Sequence, residues 1–92
     1  MPTRTVTVGS ASGLHARPAK LFVEAAAAAP VKVTIRTGEK KPVPAKSMLS
    51  VLALGAKKGT EVILEAEGDG AEEALDGLAA LLARDLDADD AA

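Results

Sequence analysis

The chain has 92 residues, no cysteine and a formal net charge of −2, which indicates one small domain without disulfides or thiolate metal sites. Nearly half of its residues are hydrophobic, but many of these are alanine and only 1% are aromatic. Such a core is too small to enclose a large substrate cavity, so an enzyme with a buried pocket is not expected.

The acidic excess lies at the C-terminus, where residues 85–92 hold four of the thirteen acidic side chains. Residues 1–84 therefore carry eleven basic and nine acidic residues, and we expect them to form the domain, with 85–92 as a flexible tail. No apolar signal segment or membrane-spanning stretch is present, which favours a cytoplasmic protein. The scattered basic charge and the single aromatic residue disfavour nucleic-acid binding.

The first half of the chain alternates between strand and helix patterns. Val6 and Val8 fall on one face of a predicted strand. Residues 15–30 are predicted to be helical, with five consecutive alanines favouring the helix and Pro30 ending it. Residues 31–38 alternate again as a second strand. Pro42 and Pro44 lie two residues apart, so a strand containing them is expected at an edge of the sheet.

The second half begins with a short helix, capped by Ser47 and closed by Gly55. A strand follows over residues 60–68, and a last helix is predicted to begin with Asp69 as its cap and Glu72 at the capping-box position. The inward positions of these two elements are apolar: Val62, Leu64 and Ala66 on the strand, and Ala71, Leu75, Leu78 and Leu82 on the helix. The order β-α-β-β-α-β-α predicts an α+β fold, with an antiparallel sheet and helices on one face.

The single histidine, His15, stands where the first helix begins, in the segment SGLHARPAK. The first amides of a helix have no intrahelical acceptor and attract anions, so the amides of Ala16 and Arg17 are candidate phosphate ligands. The Arg17 guanidinium adds forked donors, and Pro18 suits a first helical turn. An imidazole, with an ordinary pKa of about 6.5, is largely neutral and nucleophilic near pH 7. We therefore predict that His15 carries a phosphoryl group.

Other interpretations of this segment are available from the residues alone. A lone histidine near a helix terminus is most often a surface polar group, and a His-x-Arg pair arises often by chance. Ser10 and Ser12 lack the G-x-S-x-G context of a hydrolase nucleophile. A single histidine without cysteine does not favour a zinc site, and no cofactor is expected, since no nucleotide-binding loop occurs.

Two motifs, GLHARPA at 13–19 and KSMLSVLALGAKKGTEVILEAEG at 46–68, closely resemble the HPr phosphocarriers of the bacterial sugar phosphotransferase system. The resemblance covers roughly residues 4–84. It implies an open-faced sandwich, in which three helices cover one face of a four-stranded antiparallel sheet. It also implies that His15 accepts a phosphoryl group at Nδ1 from phosphorylated enzyme I, assisted by Arg17, and passes it to a histidine of an enzyme IIA. The protein is thus expected to be a stoichiometric carrier rather than an enzyme.

The resemblance extends to the short helix. Ser47 matches a serine that a dedicated kinase phosphorylates in some relatives, which implies an HPr serine kinase/phosphatase as a further partner. Met48, Leu49 and Leu52 match docking positions, and we expect them to remain partly exposed while Val51 and Leu54 are buried. Basic side chains around this patch, Lys20, Lys46 and Lys58, favour acidic partners. The segment TGEKKPVPAK is about one residue longer than usual, and Glu24 stands where many relatives carry a base.

Two alternatives to a sugar-uptake carrier remain open. One is a carrier in a nitrogen-linked or other regulatory branch, against which the Ser47 context argues mildly. The other is a regulatory binding module without phosphoryl transfer, which the His15–Arg17 pair disfavours. No self-complementary seam is evident, so a monomer is expected.

Overall fold

The protein is seen here in a computed structural model, which describes residues 2–9, 13, 16–38 and 40–84. Seven elements follow one another along the chain: β1 (Thr3–Thr7), α1 (Ala16–Ala28), β2 (Val33–Thr37), β3 (Val43–Pro44), α2 (Met48–Ala53), β4 (Glu61–Ala66) and α3 (Ala71–Ala83). The predicted order β-α-β-β-α-β-α is confirmed. The expected tail, residues 85–92, lies outside the described residues.

The four strands form one antiparallel sheet in the order β1-β4-β2-β3. Alternation along the strands separates an outer face from an inner one, because successive side chains point to opposite sides. The inner face carries Val6, Val33, Ile35, Val62, Leu64 and Ala66, all buried as the alternating pattern predicts. The predicted sheet covered on one face by three helices is therefore confirmed.

Helix α3 lies against β1 and β4, α2 lies against β3, and α1 packs on both other helices. The predicted stripe Ala71, Leu75, Leu78 and Leu82 is buried. Phe22 of α1 has no exposed surface and is among the largest fully buried side chains. On the side of the molecule formed by β1 and α3, Arg4 Nε and Asp76 Oδ1 are 2.7 Å apart, which ties the strand to the helix.

The edge strand β3 is shorter than its sequence pattern, since only Val43 and Pro44 pair with β2. The Ala45 N–H donates to the Val33 carbonyl over 3.0 Å. Backbone groups of neighbouring strand residues point to opposite sides, so the nitrogens of Pro42 and Pro44, which lack hydrogen, face away from β2. The prediction of a proline-bearing edge strand is confirmed, and a turn from Pro44 to Ser47 ends it.

The predicted start of α3 is wrong by one residue. Gly70, not Asp69, is the N-cap, with a φ of 88° and no side-chain cap hydrogen bond. The Ala71 N–H donates to the Gly68 carbonyl over 3.2 Å, and this turn leaves Asp69 outside the helix. Glu72 therefore does not form a capping box, although it still lies in the first turn, where a negative charge favours the helix dipole.

Candidate functional site

The first turn of α1 presents charge outward and is anchored by small apolar residues. The helix is described from Ala16, and the first residue of the predicted range 15–30 lies outside the described residues. Pro18 and Ala19 are fully buried, whereas Arg17 and Lys20 are exposed. The first amides of an α-helix have no acceptor within the helix and carry its positive dipole end. This terminus therefore has the donors and the cations that an anion such as a phosphoryl group requires.

His15, the predicted phosphoryl acceptor, lies outside the described residues. Two nearby residues are described: Gly13, two positions before it, and Ala16, the first residue of the helix, directly after it. Any group bonded to this side chain is one residue from the first helical amides. The prediction for His15 itself stays a prediction.

Gly13 fixes the chain on the N-terminal side of this segment. Its φ is +70°, and a Cβ added there would overlap the Ala56 carbonyl oxygen and lie 2.7 Å from Lys57 Cα. Only glycine permits this approach without displacing backbone. Gly13 is thus packed directly on the segment after α2. This role of Gly13 was not predicted, although a glycine that opens the GLHARPA motif was an available signal.

Gly9 makes a second close approach. Its N–H donates to the Leu82 carbonyl over 2.9 Å, and a Cβ at this position would overlap the Ala83 carbonyl oxygen. The end of β1 is therefore held on the C-terminal turn of α3. Gly9 and Gly13 thus each make a close backbone contact with a distant part of the chain.

Helix α2 is capped as predicted, and its apolar residues divide into two sets. Ser47 is the N-cap, and its Oγ accepts a hydrogen bond from the Ser50 N–H over 3.3 Å. Val51 and Leu54 are buried, as expected. The helix has six residues, Met48–Ala53, and Gly55 follows its end with a φ of 64°. Ser47 is only partly buried.

The predicted docking residues differ in exposure. Leu49 is 81% exposed and is the one large hydrophobic side chain of that exposure within the described part of the chain. Met48 and Leu52 are partly buried and pack against the core. Since α1 and α2 pack on each other, the Lys20 and Arg17 side chains lie on the helix next to this patch. The predicted phosphate-stabilising Arg17 and the predicted docking residues of α2 thus lie on neighbouring helices.

Charge is distributed unevenly along the chain. Residues 40–58 hold only basic charged side chains, whereas residues 61–76 hold only acidic ones. Lys46, Lys57 and Lys58 are exposed, and Lys57 begins a turn in which its N–H donates to Thr60 Oγ1 over 3.0 Å. The surroundings of α2 therefore favour an acidic partner.

Neither a metal site nor a membrane span is found in the part of the chain that the structure describes. No group of three or more His, Cys, Asp or Glu side chains there is placed to hold an ion. None of the described helices combines the length and the apolar character needed to cross a bilayer.

Comparison with known proteins now identifies the family. The family model described as "PTS HPr component phosphorylation site" matches residues 2–84. The phosphocarrier protein HPr of Streptomyces coelicolor is 53% identical over 87 residues, which cover 95% of this chain and 94% of that protein. The chain belongs to the HPr family. The resemblance of the GLHARPA and KSMLSVLALG motifs to HPr proteins is therefore confirmed, and the general role of the protein is that of a phosphocarrier of the phosphotransferase system.

Solved HPr structures share this fold. The crystal structure of HPr from Bacillus anthracis superposes with a TM-score of 0.83 at 37% identity, covering 88% of this chain and 95% of that one. An HPr dimer from Thermoanaerobacter tengcongensis gives a TM-score of 0.66 at 40% identity, covering 88% of this chain and 92% of that one. The open-faced sandwich is thus the HPr architecture.

Proposed function

We propose that this HPr accepts a phosphoryl group on His15 from phosphorylated enzyme I and delivers it to a histidine of an enzyme IIA during sugar uptake. The observation that carries the proposal is the start of α1 at Ala16, which puts helical amides and the exposed Arg17 directly after the imidazole in the chain. The chain belongs to a phosphocarrier family, which supports a phosphoryl group as the anion that binds here.

The chemistry requires only one bond to form as another breaks. The neutral Nδ1 of His15 attacks phosphorus, and the bond between phosphorus and the donor breaks, so that the donor leaves with the electron pair. The amides of Ala16 and Arg17 and the Arg17 guanidinium hold the phosphoryl oxygens. Delivery to enzyme IIA is the same exchange in the other direction. Positioning and charge stabilisation are the main needs of such a transfer, so a small exposed site suffices.

We propose that the domain acts as a carrier whose phosphoryl donor is another protein, since its sequence contains no nucleotide-binding loop. We assign this role to residues 1–84 and place the protein in the cytoplasm as a monomer. Enzyme I and the enzyme IIA contact the same docking surface in turn, which is formed by Met48, Leu49, Leu52 and Lys20. A small interface suits such exchange, since a carrier must dissociate quickly.

Leu49 is expected to contribute most to docking, because its side chain is exposed and apolar. Replacing Leu49 with serine should raise the apparent KM for transfer from enzyme I about tenfold, which corresponds to the loss of about 1.4 kcal/mol at an interface anchor. Transfer rates measured against HPr concentration test this. Ala80→Ser, an exposed substitution on α3, is the matched control. An unchanged KM for the Leu49 variant would remove Leu49 from the docking surface.

Ser47 is proposed as a regulatory phosphorylation site for an HPr serine kinase/phosphatase. Ser47→Asp should slow transfer from enzyme I several-fold, since it puts negative charge beside the apolar docking residues. Asp, Asn and Ser are comparable N-caps, so Ser47→Asn retains the cap without the charge and should transfer at the wild-type rate. Equal rates for the Asp and Asn variants in a rapid-quench assay would contradict the regulatory role.

Incubation with enzyme I and labelled phosphoenolpyruvate tests the proposed function. We expect one acid-labile, base-stable phosphoryl group per chain, dependent on enzyme I and discharged when an enzyme IIA is added. A protein that binds enzyme I without acquiring label would be a non-transferring regulatory module. Discharge only to a nitrogen-linked IIA-type protein, and not to a sugar-specific one, would assign it to a regulatory branch.

A further inference from the structure

A cavity of about 330 Å³ lies at the end of α1 farthest from His15 in the chain, between that helix and the β2–β3 edge. Its apolar surface includes Ala26 and Val33, both buried, and Pro44 of the edge strand. Two lysines, Lys32 and Lys46, line the same cavity. Neither the proposed phosphoryl transfer nor the docking of α2 accounts for it.

The two lysines are brought together by the end of the β2–β3 ladder. The hydrogen bond from the Ala45 N–H to the Val33 carbonyl is the last one between these segments. Lys32 directly precedes Val33 and Lys46 directly follows Ala45, so the cations flank this bond on its two chains. Both side chains are exposed and line the same cavity, so an anion bound there would be attracted by two cations.

Neither lysine forms an ion pair in the described part of the chain. The ion pairs there join Arg4 to Asp76 and Arg36 to Glu65, and none involves Lys32 or Lys46. Glu65 and Glu67 line a separate depression on the other side of Lys32. Glu65 pairs with Arg36 at 3.5 Å, and Glu67, which follows the register partner of Val33, forms no ion pair with Lys32. An anion in the cavity would thus meet two cations that are not engaged in ion pairs.

The opposite wall offers an acceptor instead of donors. The cavity includes Ala26 and Ala27 of the last turn of α1 and Ala29 just after it. The Ala26 carbonyl accepts a hydrogen bond from the Ala29 N–H over 3.2 Å, so the carbonyl of Ala27, near the end of the helix, is the candidate acceptor for a ligand hydroxyl group. The cavity therefore combines two cations, one acceptor and a small apolar floor, which is the pattern of a small-molecule site with a few polar groups.

We propose that this cavity binds a small hydroxylated phosphate monoester, with its phosphate between Lys32 and Lys46 and a hydroxyl group on the Ala27 carbonyl of α1. Such a site is separate from the phosphoryl site at the start of α1. Lys46 is also the neighbour of Ser47, the N-cap of α2, so an occupied cavity would neutralise charge next to the docking helix.

Titration of ¹⁵N-labelled protein with glycerol 3-phosphate tests the site. We expect saturable amide shifts confined to residues 26–33 and 44–47, with glycerol and inorganic phosphate each binding at least tenfold more weakly. Lys32→Gln and Lys46→Gln should each weaken binding at least fivefold, while Lys40→Gln, outside the cavity, should not. Equal binding of inorganic phosphate, or shifts unaffected by either lysine variant, would overturn the proposal.

A second measurement separates loss of the site from loss of the fold. Lys46→Glu reverses the charge of one cavity cation, so it should abolish glycerol 3-phosphate binding without lowering the midpoint of urea unfolding. Binding that is retained by this variant at an unchanged midpoint would contradict the proposal. Neither readout involves phosphoryl transfer, so both are independent of the function proposed for His15.

Discussion

Replacing His15 with alanine is expected to abolish labelling from enzyme I and phosphoenolpyruvate. No other residue of the chain is a histidine, so no second imidazole can take the phosphoryl group. The remaining label should fall to the level of a reaction without enzyme I. Acid and base stability of the label, measured on the wild type in parallel, identifies the phosphohistidine that the variant lacks.

Replacing Arg17 is expected to cause a smaller loss of labelling than replacing His15. Arg17→Ala should slow labelling by about 10- to 100-fold without abolishing it, because hydrogen bonds to a charged group contribute about 1.5–3 kcal/mol. The labelling rate of Arg17→Lys, which keeps the charge but not the forked donors, should lie between those of the alanine variant and the wild type.

Undiminished labelling of the His15 variant, with an unchanged urea unfolding midpoint, would place the phosphoryl group on another residue.

Gly13→Ala is expected to be the most destabilising substitution near the site. At a φ of +70° an alanine already costs about 1–2 kcal/mol. Its Cβ would also overlap the backbone of Ala56 and Lys57, which adds about 1–3 kcal/mol, as for other overpacked positions. Because this contact fixes the chain ahead of α1, labelling from enzyme I should slow as well.

Gly55→Ala is the matched control for Gly13→Ala. Its φ of +64° is nearly the same, but nothing lies within 4 Å of the added Cβ. Urea unfolding of the two variants should differ by the overlap alone, with the Gly13 variant less stable by about 1–3 kcal/mol. Equal losses of stability would mean that the Ala56–Lys57 segment moves aside without cost.

The strands and helices were predictable where periodicity dominates. The alternation of Val62, Leu64 and Ala66 and the helical spacing of Leu75, Leu78 and Leu82 both match the buried faces. The N-cap of α3 was mispredicted because two glycines flank Asp69. Gly68 and Gly70 adopt φ values of 109° and 88°, so backbone freedom outweighed the capping preference of aspartate.

The parts of the site that depend on distant contacts were not predictable from pattern alone. Gly13 contacts residues more than forty positions away, and nothing local marks that approach. The placement of Lys32 and Lys46 on one cavity likewise depends on the pairing of β2 with β3. By contrast, the capping role of Ser47 and the burial of Val51 depend on local spacing, and both were predicted.

The placement of the two edge prolines makes the sheet resistant to aggregation on one side only. Pro42 and Pro44 have no N–H group on the outer edge, so a strand added there would lack the hydrogen-bond donors that it needs. The opposite edge, β1, contains no proline over Thr3–Thr7. Any misassembly that extends the sheet from one molecule to the next would therefore have to begin at β1.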